Sequence, residues 1–580
     1  AYAGLLNWSL HHRKAILGAA AAFTVASFFL LPLIGEDFFP TVDSGQMRFH
    51  VRPPAGVRIE ESERLFAAVE EEVRNVIPPH ELDSIIDNIG LPYGGVNLAY
   101  GDNPSIGYGD GDILISLKPE RRTSTEEYSR RLRRRLNDKF PGVVFFWEAA
   151  NITNQILNFG LPAPIDVQVT GRDAKSNYAI AQEIQQQIAR IPGAVDVHIH
   201  QVVDYPEIRL NVDRIRAAQL GMTQRDVTSS VLVSLSSSGQ IAPTQWLNWE
   251  TGISYQIAVQ TPQRRLDSLE ALLRTPVAPL GAAPSGSAPG TVFNPIASVT
   301  SVTTPPNRGS VAYGNPGAVP PNAQLLGNLV TSARGLAPQI VNHYNVQPVF
   351  DVYANVDRRP LGSVGAEVRK VISTMEKKLP RGSSIFLRGQ VETMQTSFTR
   401  LGLGLIAAVV LVYLLMVVNF QSWLDPFIIL MPLPTAIAGI LWALFVTQTT
   451  LSVPSLMGAI MCIGVAAANS ILVVTFANDQ RAEGKDAQEA ALLAGFTRIR
   501  PVMMTAMAMI IGMGPMAVGL GEGGEQNAPL GRAVIGGLLF ATVSTLFVVP
   551  LVYSLLRKRP PIDHDRRIAE AEAGGEGLQA

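Results

Sequence analysis

The sequence predicts an α-helical polytopic membrane bundle of six spans joined to an α+β domain outside the bilayer. Two observations carry this. A membrane-length apolar segment near Ala15–Ile34 is followed by about 360 polar residues, and five more apolar segments lie between Leu401 and Leu556. A helix needs ~20 apolar residues to cross the hydrocarbon core. The polar stretch, for its part, repeats strand and helix patterns in βαβ order. The layout points to a machine that handles a ligand outside the membrane and draws its power inside it.

The spans read as Ala15–Ile34, Leu401–Phe420, Phe427–Val446, Leu456–Phe476, Pro501–Leu520 and Ala533–Leu556. Lys and Arg gather on cytoplasmic ends. His11, His12, Arg13 and Lys14 precede the first span, Arg481, Lys485, Arg498 and Arg500 separate the fourth from the fifth, and Arg557, Lys558 and Arg559 follow the sixth. With six alternating crossings both termini are inside and the large domain is outside, in the periplasm of a bacterium. The tail after Pro560 is polar and acidic and reads as disordered.

Composition bounds the rest. At 580 residues the chain is long enough for several subdomains. With 47 Lys+Arg against 48 Asp+Glu, nothing favours nucleic acid. The single Cys462 lies inside a span, which excludes intrachain disulfides. The chain opens on Ala1 without a signal peptide, as expected if it starts partway through a longer polypeptide.

In the polar domain, Met47–Arg52 alternates like a strand. Leu65, Phe66, Val69, Val73, Val76 and Ile77 mark one helix face. Leu82–Ile89, Asp112–Leu117 and Val143–Trp147 read as strands, and Thr123-Ser124-Thr125-Glu126 as a capping box opening a basic helix. The order β-α-β-β-α-β predicts a ferredoxin-like unit. A second such unit begins with Ile165–Thr170, Tyr178–Ile191 and Val195–His200, and resumes at Gln347–Ala354, Val364–Leu379 and Ser384–Leu387. Between its halves sits an insertion with its own capped helix at Thr223-Gln224-Arg225-Asp226.

Several stretches then resemble one family. They are Gly35–Gly56, Gly389–Leu401, FQSWLDP at Phe420–Pro426, GVAAANSILVVTF at Gly464–Phe476, RIRPVMMT at Arg498–Thr505 and GEGGEQNAPLGRA at Gly521–Ala533. In order and spacing the chain resembles the C-terminal half of a resistance-nodulation-division (RND) efflux permease of the hydrophobe/amphiphile type. Gly281–Pro321 is the least typical part. The resemblance implies a homotrimer in the inner membrane, driven by proton influx, with a periplasmic adaptor protein, an outer-membrane channel and an N-terminal half not contained in this chain. It also divides the chain: a first transmembrane helix (1–34), a porter subdomain (35–163), a split second one (164–210 and 343–395), an inserted docking subdomain (211–342), a five-helix transmembrane bundle (396–558) and a cytoplasmic tail (559–580).

Polar side chains within spans are costly and therefore candidates for function. Asn469 and Ser470 interrupt an apolar helix. Thr505 lies seven residues after Arg498, about two turns on, so the two share a helix face. Arg498 and Thr505 match the family's essential Arg and Thr, which implies proton relay, and Asn469 is a further candidate for coupling. Ala468 stands where many relatives carry Lys. Bland readings stay open: Arg498 snorkelling at the helix end, Asn469 joining helices, and Thr505 bonding its own backbone.

For substrate, the glycine-rich Gly90–Gly111 offers Tyr93, Tyr100 and Tyr108, and Phe146 lies on a nearby strand. The family has a comparable loop between two drug pockets, so these four are substrate-binding candidates, with core packing the alternative for Phe146. His198 and His200 read as ordinary core or surface histidines, which argues against a heavy-metal branch. Trp246 and Trp249 suit a subunit interface or a local core. No Walker sequence and no hydrolytic constellation stands out, so the expectation is a non-enzyme with no cofactor, driven by proton-motive force and exporting amphiphiles. The rivals are a heavy-metal exporter half and a non-pumping protein-export or scaffold module.

Overall fold

The computed structural model describes residues 2–91, 105–158, 160–241, 244–279, 323–521 and 523–557. Tyr93, Tyr100 and the tail 559–580 therefore lie outside the described residues. The chain divides into two compact units, Ala1–Val203 with Pro338–Ala580, and Asp204–Ala337.

The first unit opens with helices α1 (Tyr2–His11), α2 (Arg13–Phe28) and α3 (Leu31–Ile34). Then follow β1 (Gln46–Arg52), α4 (Ile59–Val76), β2 (Leu82–Ile89), β3 (Gly111–Leu117), α5 (Thr125–Lys139) and β4 (Val144–Glu148). The strands form an antiparallel sheet in the order β2-β3-β1-β4. Strand alternation puts Met47, Phe49 and Val51 on one face, where they meet Phe66, Val69 and Val73 of α4 and Leu132 and Leu136 of α5 in one apolar core. Arg48, His50 and Arg52 take the other face. Ser124, one residue later than the sequence pattern suggests, caps α5 by accepting from the Glu127 amide at 3.3 Å.

After α6 (Ile152–Leu157), β5 (Ile165–Thr170), α7 (Ala174–Ile188) and β6 (Ala194–Ile199), the chain enters the second unit. That unit holds β7 (Tyr205–Val212), α8 (Arg214–Gln219), α9 (Gln224–Ser236), β8 (Thr244–Leu247), β9 (Ser254–Ile257), α10 (Leu269–Leu273), β10 (Pro276–Val277), β11 (Gln324–Leu325) and β12 (Val330–Ala337). Its antiparallel pairs are β7–β12, β8–β9 and β10–β11. Thr223 and Asp226 make the anticipated capping box on α9. The β8–β9 hairpin is exposed throughout and presents Trp246 and Tyr255; Trp249 at its turn is 85% exposed.

Back in the first unit, β13 (Asn342–Tyr344), β14 (Gln347–Val356), α11 (Leu361–Met375) and β15 (Ser384–Gly389) complete the second sheet. Its spine is β15-β5-β14, and β13 and β6 both pair with β14.

The rest is helical: α12 (Gln390–Phe420), α13 (Leu424–Leu430), α14 (Leu433–Val446), α15 (Val453–Ala482), α16 (Ala487–Val518) and α17 (Ala528–Leu556). Among the described residues six helical segments are long and apolar enough to cross a membrane, Arg13–Ile34 and five from Gln390 onward. Several overrun the apolar windows; α12 begins eleven residues before Leu401, at Gln390. The axis of the bundle is α17, which packs on α14, α15 and α16. Its approach to α14 is backbone-close. A Cβ built on Gly536 would sit 2.2 Å from the Ala443 Cβ and 2.7 Å from the Gly439 carbonyl oxygen. Gly536→Val is therefore expected to destabilise the bundle by roughly 1–3 kcal/mol, read as a lower midpoint of thermal unfolding in detergent.

A backbone seam joins bundle and α/β part. Leu451 N–H donates to Gly35 O at 3.0 Å, Asp37 N–H to Leu451 O at 2.9 Å and Val453 N–H to Phe38 O at 3.2 Å. Asp37 in turn accepts from the Leu361 amide at 2.6 Å, which pins the N-terminus of α11.

Candidate functional sites

Two sites gather the chemistry, one inside the bundle and one between the two sheets. In the bundle, Thr505 of α16 donates its hydroxyl to the Asn469 side-chain oxygen of α15 at 2.8 Å. The same hydroxyl lies 3.0 Å from Val502 O, three residues back. Asn469 is buried and Thr505 exposed. The bridge thus joins α15 to α16 and leaves the Thr505 face of α16 open. Arg498 stands two turns earlier on α16, its guanidinium 4.9 Å from the centre of the Phe476 ring. Its buried Nε has no hydrogen-bond partner, and Arg498 makes no ion pair among the described residues. Arg498 itself is half-buried on this helix. Of the three predicted residues, Thr505 and Asn469 are in contact and Arg498 lies two turns away against Phe476.

A second polar network at the same end of the bundle was not read from sequence. Buried Asp425 accepts from Asn478 Nδ2 at 3.3 Å and pairs with Arg557 at 3.3 Å. Tyr553 donates to Asn478 Oδ1 at 2.7 Å. The signal was there as an Asp opening an apolar span with an Arg closing another.

Between the sheets lies a buried ionic face. Pairing sets His50 opposite both Asp112 and Phe146, and Arg48 opposite Glu148. His50 is fully buried, with Nδ1 2.6 Å from Asp112 Oδ1 and Nε2 3.2 Å from Asp110 Oδ2. Two carboxylate acceptors on two ring nitrogens demand two N–H donors, so the ring is an imidazolium. Burial works against that charge; the hydrogen bonds of Asp110 and Asp112 outweigh it and hold the His50 pKa above its ordinary value. Arg48 pairs with Asp112 at 2.7 Å and Glu148 at 3.1 Å, and Arg52 approaches Asp110 at 3.5 Å. Burial first and the Asp112 charge second push the Glu148 carboxyl up to about 8. Asp110 also accepts from the Ile106 and Gly107 amides at 3.1 and 2.8 Å.

The opposing surface comes from β6. Phe146 is sandwiched between His50 and His198, with ring centres 4.6 and 3.9 Å away. Burial, then the Arg52 charge, hold His198 well below its ordinary pKa and His200 at about 3, so both rings are neutral. Arg133 clamps Asp196 through two bonds of 2.7 and 2.9 Å and so ties α5 to β6.

Of the predicted substrate residues, Tyr108 is 57% exposed and Phe146 is 1% exposed, inside the sandwich. His50, Asp112 and Glu148 each offer a ligand atom within 4.8 Å of the others, enough to surround a metal ion. In this arrangement Arg48 and the imidazolium already neutralise Asp112, and Glu148 keeps its proton up to about pH 8. Sequence reasoning singled out none of this set. Its signal was the alternation Arg48-x-His50-x-Arg52 against Asp110-x-Asp112.

A family model described as the AcrB/AcrD/AcrF family matches residues 1–557. The chain belongs to this family of RND permeases. The RND chain is 26% identical over 570 residues to the cobalt-zinc-cadmium resistance protein CzcA of Cupriavidus metallidurans, covering 98% of this chain and 49% of that protein. It is also 26% identical over 572 residues to the multidrug resistance protein MdtC of Cronobacter sakazakii, covering 95% of this chain and 48% of that protein. A solved heavy metal efflux pump shares its fold, with a TM-score of 0.76 at 23% identity, over 96% of this chain and 52% of that one. The RND chain thus spans about half the length of the relatives it matches. Named relatives include both metal and multidrug resistance proteins, so membership fixes the transporter class and leaves the cargo open.

Proposed function

We propose that this chain is the coupling half of a proton-driven exporter that takes amphiphilic compounds from the outer side of the inner membrane. The supporting observation is the Asn469–Thr505 bridge with Arg498 two turns away on the open face of α16. Carboxylates supplied by the other half of the protein would take and release protons against this cation and hydroxyl. Their charge change would shift α16 against α15, and the seam at Gly35–Phe38 would carry that shift to α11. The two sheets, read as ferredoxin-like porter units in the periplasm, would part and expose the Phe146 sandwich to substrate. Cation–aromatic stacking on such a surface suits flat or cationic amphiphiles. The exposed β8–β9 hairpin would serve a homotrimer contact, with a periplasmic adaptor protein and an outer-membrane channel completing the assembly.

A second reading, export of a divalent cation, is favoured by the His50–Asp112–Glu148 set, whose nitrogen and oxygen ligands suit zinc or cobalt. It requires Arg48 to withdraw from both carboxylates, which makes it the less direct of the two. The complete protein in proteoliposomes decides between them. Under an imposed pH gradient we expect movement of an amphiphilic dye, abolished by a protonophore. Zinc movement without dye movement would transfer the assignment to the second reading. Transport of either that ignores the gradient would refute proton drive.

A further inference from the structure

Prolines interrupt the last two helices of the bundle. Pro501 lies inside α16 and Pro550 inside α17. A proline has no amide to offer the carbonyl four residues earlier, so each costs its helix a rung of the hydrogen-bond ladder. In α17 the carbonyl released is Leu546 O. The Tyr2 hydroxyl of α1 donates to it at 2.8 Å. The Tyr2 ring also meets Phe547 of α17 edge-on, with ring centres 5.6 Å apart. A side chain from the far end of the sequence thus stands in for the missing amide.

The same short helix holds the start of α16. Gln488, Leu492 and Gly495 follow the i, i+4, i+7 spacing and share one helix face. Gln488 Oε1 accepts from the Arg13 guanidinium, at the bend after α1, at 2.7 Å. Leu492 packs on the cluster of Leu6, Leu10 and Leu551. A Cβ built on Gly495 would sit 2.7 Å from Leu6 Cδ2 and 2.8 Å from Tyr2 Oη, so a methyl there would push both side chains off α16. Arg498 comes three residues after this glycine. Pro501 then separates it from Thr505. Of the apolar window of α16 only 11% is buried, which leaves the stretch beyond the proline room to move.

We propose that α1 is a clamp and that Tyr2 is a positioning residue of the proton relay: it fastens the first turns of α16, Arg498 included, to α17, and Pro501 is the hinge about which the stretch carrying Thr505 moves. The inference rests on the reading of Arg498 and Thr505 as the relay. Arg498 is then its fixed point, and Thr505, with its bond to Asn469, its moving one.

The test uses the complete protein in proteoliposomes under an imposed pH gradient. Tyr2→Phe deletes one hydroxyl and should slow maximal dye export roughly two- to tenfold, with the half-saturating dye concentration unchanged. Pro550→Ala returns an amide to Leu546 O, so Tyr2→Phe added to it should cost no further rate. An equal penalty with and without Pro550 overturns the assignment of Tyr2 to that carbonyl. Spin labels read the hinge, whether or not Pro550→Ala folds. Trp8, Phe496 and Ile511 are exposed and take the labels as cysteine variants. Between an alkaline and an acidic buffer the pair Trp8→Cys and Phe496→Cys should keep its separation, and the pair Trp8→Cys and Ile511→Cys should change it. Movement in both pairs, or in neither, overturns the hinge. Arg498→Ala separates this inference from the reading beneath it. If that variant still exports, the relay itself fails; if it is silent while Tyr2→Phe exports at the wild-type rate, only the clamp falls.

Discussion

Replacing Arg498 with alanine should cut export by the complete protein at least about 100-fold while leaving its membrane level and oligomeric state unchanged. The reason is electrostatic. Arg498 is a cation at the edge of the bundle, steadied by the Phe476 ring and without an anionic partner among the described residues. If a carboxylate from the other half of the protein docks there, removing the cation strands that carboxylate in a poorly solvated place. Breaking a buried pair in this way costs roughly 3–5 kcal/mol. A loss of that size in the coupling step corresponds to at least a hundredfold in rate. Arg498→Lys keeps the charge and should retain part of the activity. Efflux measured with an amphiphilic dye in cells gives the readout. Undiminished efflux in the alanine variant would remove Arg498 from the relay and leave it as a snorkelling helix-end residue.

The second large effect concerns His50 and is read in stability. His50→Ala leaves Asp110 and Asp112 close together and buried without their bridging proton, at a cost of roughly 3–5 kcal/mol. A specific pH signature goes with it. The folded pKa of His50 is raised, so its contribution is complete below its unfolded value of about 6.5 and is lost as pH rises through the folded one. Glu148 acts in the same sense above pH 6.5: folded, it keeps its proton to about 8, whereas unfolded it has already lost it. His198 and His200, both shifted down, carry no proton when folded, while their unfolded rings shed the last of theirs just above pH 6.5, so their opposing effect fades by about pH 7.5. Asp110 and Asp112, also shifted down, are ionised in both states. Stability should therefore fall between pH 7 and 9, by up to about 1.4 kcal/mol per pH unit for each proton involved. Thermal unfolding of the wild type and of His50→Ala at both pH values checks this. The same slope in the two proteins would deny His50 its part.

Much of the architecture was legible in the sequence. Six apolar runs gave six membrane-length helices, because satisfying backbone polar groups in lipid leaves a span no alternative to helix. Their ends were misjudged where a helix continues in polar residues, as α12 does from Gln390 through Arg400, since apolarity is blind to such turns. The Asn469–Thr505 contact was within reach because each residue is a polar interruption of an apolar run. The buried ionic face was not. Its members come from three strands, and only pairing register brings Arg48 to Glu148 or His50 to Asp112. Phe146 illustrates the same limit: alternation with Phe145 and Trp147 gave its face, and nothing local revealed the histidines above and below it. Among the named relatives are metal resistance proteins, and His198 is separated by the Phe146 ring from His50, a member of a set able to surround a metal ion.

The seam between Gly35–Phe38 and Leu451–Val453 is written almost wholly in main-chain atoms. Its partners carry side chains that take no part in the bonds, so neutral drift in those side chains leaves the joint intact. An imino acid is another matter. Proline at Leu451 would delete the amide that reaches Gly35 O, and the linkage between the lipid-embedded and water-facing parts would lose a rung that no nearby side chain replaces.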